Sequence, residues 1–177
     1  ESNGRKGVLT AEPLERGFGL TLGNAIRRIL LSSLQGAAIT SVKLKGVVHE
    51  FSTIPGVKED LTEILMNLKT VAVKVHSPGL KKMYLKFSGS GELRAGNFET
   101  DSETEIMNPD QLIMTLDSNA EIEVEANVET GKGYVSAEVA EDDSKIIGEI
   151  KLDAMFSPVI KSTYKVENSR VGQVTDY

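Results

Sequence analysis

The sequence contains no cysteine and no tryptophan. The first absence excludes disulfides, thiolate metal sites and cysteine nucleophiles, and fits a reducing compartment. The second, with aromatic residues at only 5% of the chain, leaves the core to aliphatic side chains and supplies few platforms for base stacking. The only histidines, His49 and His76, have no HxxxH or HxH spacing, so a metal site has no recognisable ligand set. Positive charge is also short. Twenty Lys and Arg against 26 Asp and Glu give a net charge of −6, the wrong sign for a protein held on nucleic-acid phosphates. No apolar run approaches the ~20 residues of a membrane-spanning helix, and no signal-peptide pattern opens the chain. A soluble, cytoplasmic protein is expected.

What is present is ample for a core: 177 residues, 40% of them hydrophobic, enough for one ordinary domain or two small ones. The chain is organised around Leu14–Leu34, LERGFGLTLGNAIRRILLSSL. At about 100° per residue, a helix over Thr21–Leu34 places Leu22, Ala25, Ile26, Ile29, Leu30 and Leu34 on one half of its wheel. Asn24, Arg27 and Arg28 lie opposite, with Leu31 in their midst. A large aliphatic residue framed by arginines is the composition favoured at protein–protein contacts. A core-covering helix with one stray exposed leucine fits the same periodicity, which leaves both readings open. Gln35-Gly36 reads as a glycine-type helix stop.

Gly7–Ala11 reads as a short strand, and the β-branched stretch Ala38–Phe51 as strands broken at Gly46. Ile54-Pro55-Gly56 turns into a second helix, Val57–Thr70, with an apolar stripe of Val57, Leu61, Ile64, Leu65, Leu68 and Val71 and with Met66 on its outer face. Glu59, Asp60 and Glu63 crowd its first turns, where carboxylates suit the helix dipole, and Lys69 suits its last. From Val71 the period changes to two. Val71/Val73/Val75, Met83/Leu85/Phe87, Ile122/Val124/Ala126/Val128 and Ile160/Tyr164/Val166 read as strands, with turns at Ser88–Gly91, Gly96-Asn97 and Gly131–Gly133. Two main helices among many strands predict an α+β fold with antiparallel or mixed sheets rather than a βαβ alternation. Gly36 and Ser157-Pro158 are the breaks that hint at two lobes.

Catalytic chemistry finds little support. Gly17–Gly23 lacks the buried strand that a dinucleotide-binding glycine loop requires before it. Gly131-Lys132-Gly133 lacks the rest of a phosphate loop and reads as a hairpin turn. His49-Glu50 would need a third group and a pocket to act as an acid–base pair, and strand neighbours point to opposite faces. Glu121/Glu123/Glu125 alternate with Ile122/Val124 as the solvated side of a strand, and no carboxylate set resembles a two-metal centre. Glu141–Asp143 is an acidic loop.

Five segments then appear in order: PLERGFGLTLGNAIRRILLSS, GVVHEFSTIPGVKEDLTEILMNLK, ETGKGYV, SPV and YKVENSRVGQVTDY. Together they resemble the N-terminal domain of the bacterial DNA-directed RNA polymerase alpha subunit, over most of Val8–Tyr177 and least over Ser77–Ser102 and Ala140–Lys145. The resemblance implies a non-catalytic assembly scaffold, without cofactor or metal of its own. Two copies dimerise and recruit the large beta and beta-prime subunits, which hold the active site. It implies a dimerisation lobe of residues 1–35 and 157–177, into which a second lobe, 36–156, is inserted.

The resemblance also assigns residues. Leu22, Ala25, Ile26, Ile29, Leu30 and Leu34 would pack the dimer. Asn24, Arg27, Arg28 and Leu31 would face beta, Arg28 matching the second Arg of the RRILLSS motif, where a planar guanidinium is not replaced well by Lys. Lys69 and Leu152 would contact beta-prime, with Glu59 and Asp60 at the rim. The family continues past VGQVTDY into another strand, a long dimerisation helix and a DNA-binding domain. The first helix is therefore expected to be partly uncovered here, and neither nucleic-acid nor membrane binding is expected of this segment. The alternative, an α+β interaction or adaptor domain unrelated to transcription, shares every feature except the ordered motifs.

Overall fold

Alternation of apolar and polar residues lays out the centre of the fold in the computed structural model, which describes residues 4, 6–47, 53–140, 148–168, 170–171 and 174–175. His49-Glu50 and Glu141–Asp143 lie outside the described residues. The chain runs through α1 (Phe18–Ser32), β1 (Gln35–Leu44), α2 (Leu61–Lys69), β2 (Val73–Val75), β3 (Lys81–Ser88) and β4 (Gly91–Arg94). It continues through β5 (Thr104–Ile106), β6 (Leu112–Leu116), β7 (Glu121–Lys132), β8 (Tyr134–Val135), α3 (Ala137–Ala140), β9 (Glu149–Lys151) and β10 (Ala154–Met155), ending in β11 (Arg170–Val171) and β12 (Val174–Thr175). The fold is α+β. It divides into two compact units, Glu1–Leu31 with Val159–Tyr177, and Ser32–Pro158.

In the larger unit β1 is central. Antiparallel β7 follows it from Gln35↔Lys132 to Leu44↔Val124, and β3 lies outside β7. The other edge of β1 is shared by β2, at Ala37↔Val73, and β9, at Ser41↔Lys151 to Lys43↔Glu149; β5 pairs with β2. In β7, Ile122, Val124, Ala126 and Val128 are buried while Glu121 and Glu123 are exposed, as period two requires. β1 breaks the period: Ile39, Val42 and Leu44 are all in the core. An irregularity between Ile39 and Ser41 supplies one extra residue, and this bulge keeps an odd and then an even position on the same face.

Helix α2 buries Leu61, Ile64, Leu65 and Leu68, and the Asn67 side chain donates to the Ile113 carbonyl of β6 at 3.0 Å. The helix begins at Leu61 rather than Val57 for a local reason. Val57 bridges to Leu116, the Lys58 N–H donates to the Thr115 carbonyl at 3.0 Å, and Asp60 caps the helix by accepting from the Glu63 N–H at 2.8 Å.

Other sequence expectations change with their partners. Helix α1 ends at Ser32, so Leu34 lies beyond it and Gly36 is no helix stop. Gly36 pairs with Gly131 across β1 and β7. A side chain at Gly36 would strike the Phe156 carbonyl, and one at Gly131 would come within 2.8–3.0 Å of the Phe156 ring. The pair lets Phe156 cross the sheet end closely. Gly131–Gly133 is no hairpin either. Gly131 and Lys132 belong to β7, and Gly133, at φ +65°, turns the chain into β8, which pairs with β10. Residues 7–11 and 160–166 are not strands.

Candidate functional site

In the smaller unit, the glycines of GFGLTLG divide their work. Gly17, at φ +79°, makes the turn into α1, a backbone conformation favoured by glycine. Gly19 and Gly23 are inside the helix, where they clear a track for residues 162–166. A side chain on Gly19 would lie 3.1 Å from a Val166 methyl, and one on Gly23 would enter the Tyr164 ring. One turn further on, the Arg27 Nε donates to the Ser162 carbonyl at 3.0 Å, and beside it the Tyr164 hydroxyl donates to Asn24 Oδ1 at 2.6 Å.

The register is 19 to 166, 23 to 164 and 27 to 162. Four residues of helix advance about 6.0 Å and two residues of extended chain about 6.6 Å, so the two run antiparallel nearly in step. The segment is a strap rather than a strand. It was visible in the sequence only as the alternation of Ile160, Tyr164 and Val166, which a sheet edge would also explain.

Nothing on α1 is buried. Of the residues assigned to the dimer, Ala25 and Ile29 are exposed, Ile29 by 53%, while Leu22, Ile26 and Leu30 are half-buried. Leu34, also half-buried, falls outside the helical stripe. Among those assigned to beta, Arg28 is exposed and Leu31 half-buried; Asn24 and Arg27 hold the strap.

In the larger unit a second surface gathers around the end of α2. Lys69 Nζ lies 3.6 Å from Asp153 Oδ2, and Asp153 Oδ1 accepts from the Ala137 N–H at 2.8 Å. That N–H does most to hold the Asp153 carboxyl below its usual range, against partial burial and with help from the Tyr134 hydroxyl and Lys69. The Tyr134 phenol is raised, by desolvation first and then by its bond to Asp153.

Along residues 151–156 the even positions are buried and the odd ones face outward. Leu152, 4% exposed, is thus a core residue. The outward residues are Lys151, Asp153 and Met155. Met155 pairs with Tyr134 across β10 and β8, and both are exposed, as is Met66, one turn before Lys69. Sequence reading named Lys69 but missed Asp153, Tyr134 and Met155. Outward alternation around Leu152 was the available signal.

Glu59 and Asp60 have internal roles. The Glu59 carboxylate accepts from the Thr115 N–H at 2.7 Å and its hydroxyl at 2.9 Å. Desolvation would raise the Glu59 pKa, but these bonds outweigh it and hold the group low. His76 makes an exposed 3.7 Å contact with Glu105. Among the described residues no three His, Cys, Asp or Glu are grouped to hold a metal. A cleft between Lys43, Lys82, Glu125, Asn127 and Glu149 is about 60 Å³, far below the ~300–1,000 Å³ of ordinary small-molecule sites, and an open groove along Gly56–Lys58 and Thr115–Asp117, about 300 Å³, is at their lower limit. No helix among the described residues is long and apolar enough to cross a membrane.

The surfaces on α1 and at the end of α2 both set exposed apolar side chains beside charged or hydrogen-bonding ones. Over residues 42–157, most of the chain, the sequence matches the RNA polymerase Rpb3/RpoA insert domain. The chain belongs to this family, and so carries a domain of an RNA polymerase subunit.

Proposed function

We propose that the chain is the non-catalytic scaffold of a bacterial RNA polymerase, which dimerises through α1 and recruits the beta and beta-prime subunits for DNA-templated transcription. The observation that carries this reading is α1: a helix rich in Leu and Ile with no buried residue, in a chain whose inserted segment belongs to an RNA polymerase family. Ala25 and Ile29, with the half-buried Leu22, Ile26 and Leu30, are the dimer contacts. Arg28 and Leu31 are the beta contacts. Asn24 and Arg27 contribute by fixing the strap beside them. Lys69, set by Asp153, is the beta-prime contact; Leu152 acts beneath it by holding Asp153 outward. The family match sets aside an adaptor unrelated to transcription.

The test is capture of the large subunits by tagged full-length protein in a bacterial lysate, with Arg28→Ala and Lys69→Ala in parallel. The unaltered protein is expected to recover both. Arg28→Ala should lose beta, whereas Lys69→Ala should keep beta and lose beta-prime. Recovery of neither by the unaltered protein defeats the reading.

A further inference from the structure

Sulfur in this chain is confined to five methionines, and their environments divide sharply. Met83 and Met114 are fully buried, while Met66, Met107 and Met155 are 60%, 53% and 51% exposed. Two of the exposed three border the Lys69–Asp153 ion pair. Met66 is one turn from Lys69 on α2, and Met155 shares the outward side of residues 151–155 with Asp153. Tyr134, paired with Met155 and bonded to Asp153, extends the same surface. Met107 lies just beyond β5, with its N–H on the Ala72 carbonyl at 2.8 Å, while the side chain of the next residue, Asn108, donates to the Thr70 carbonyl at 2.8 Å, so it packs against the exit of α2 rather than beside Asp153.

Thioethers suit such a surface because they are apolar, polarisable and adaptable to a partner's relief. They are also its chemically vulnerable points. A peroxide delivers one oxygen atom to the sulfur: an S–O bond forms as the O–O bond breaks, and with hydrogen peroxide the other product is water. The sulfoxide is polar and chiral, and reductases return it to the thioether. Lys69 and Asp153 are untouched by this chemistry, so the ionic part of the surface persists while its apolar flanks are lost.

We infer that Met66 and Met155 make this surface an oxidation-sensitive contact, whose docking of beta-prime is weakened by sulfoxidation and restored by reduction. The inference rests on the proposed beta-prime role of the Lys69 surface. Its test treats tagged full-length protein with hydrogen peroxide, maps the sulfoxides by peptide mass spectrometry, and measures capture of beta and beta-prime before and after.

Met66 and Met155 are expected to oxidise while Met83 and Met114 stay reduced. Beta-prime capture should fall about tenfold, the effect of roughly 1.4 kcal/mol, with beta unchanged. Methionine sulfoxide reductase should restore it, and Met66→Leu/Met155→Leu should abolish the sensitivity. Unchanged capture after confirmed sulfoxidation overturns the inference alone, as does protection by Met107→Leu. Untreated protein that recovers beta but no beta-prime overturns the docking role, and the inference with it.

Discussion

Asp153 gathers three partners at one carboxylate: the Ala137 N–H, the Tyr134 hydroxyl and the Lys69 ammonium. Each prefers the charged form, and together they lower its pKa against partial burial. A carboxylate whose folded pKa is depressed adds stability that is present above its unfolded value of about 3.9 and lost as pH falls through the folded value. Asn at this position can still accept from Ala137 but does not titrate. Asp153→Asn is therefore expected to lower the melting temperature at neutral pH, and the deficit should shrink on acidification to about pH 3. Thermal melts of both proteins across that range check it; a deficit independent of pH would rule out the linkage. The sequence displayed Asp153 only as a charged residue in an alternating stretch. Its hold on α2 depends on a residue 84 positions earlier in the chain, Lys69, and no local period encodes such a distance.

At the scale of elements, what was legible is what each element buries by itself. The α2 stripe and the β7 alternation were readable because an apolar face must be covered whatever covers it. Ends and pairings were not. Val57 was drawn from the helix by Leu116, Gly133 joins two strands of different sheets, and residues 162–166 met a helix in place of a sheet. Each outcome was decided by a partner remote in sequence. The strap permits a test in which the sign itself is informative. In an open helix, Gly→Ala gains about 0.5–1 kcal/mol. At Gly23 the new methyl enters the Tyr164 ring, and overpacking of that kind costs about 1–3 kcal/mol. Gly23→Ala is thus expected to speed amide exchange along α1, whereas the same change in a Tyr164→Ala background should slow it. Slower exchange in both backgrounds would show that the strap does not press on the helix.

For the whole molecule, the two units place very different demands on their helices. Helix α2 buries four residues within its unit and α1 buries none, so α1 contributes little to the chain's own stability through burial and leaves its apolar side in part exposed. Of the residues on that side, Ala25 and Ile29 are exposed, and changing them removes no interior packing. Aspartate at both positions should leave circular dichroism and melting close to the parent, since exposed substitutions ordinarily shift stability within about 0.5 kcal/mol. The same pair of carboxylates at the centre of a self-complementary contact would meet the identical pair on the second copy, because a two-fold interface repeats each residue. Burying four unpaired charges there should weaken self-association by well over tenfold, a factor that corresponds to about 1.4 kcal/mol. Light scattering over a concentration series, with the melts alongside, separates the two quantities. A parent that self-associates no differently from the Ala25→Asp/Ile29→Asp protein would mean that this side of α1 is not the dimer surface.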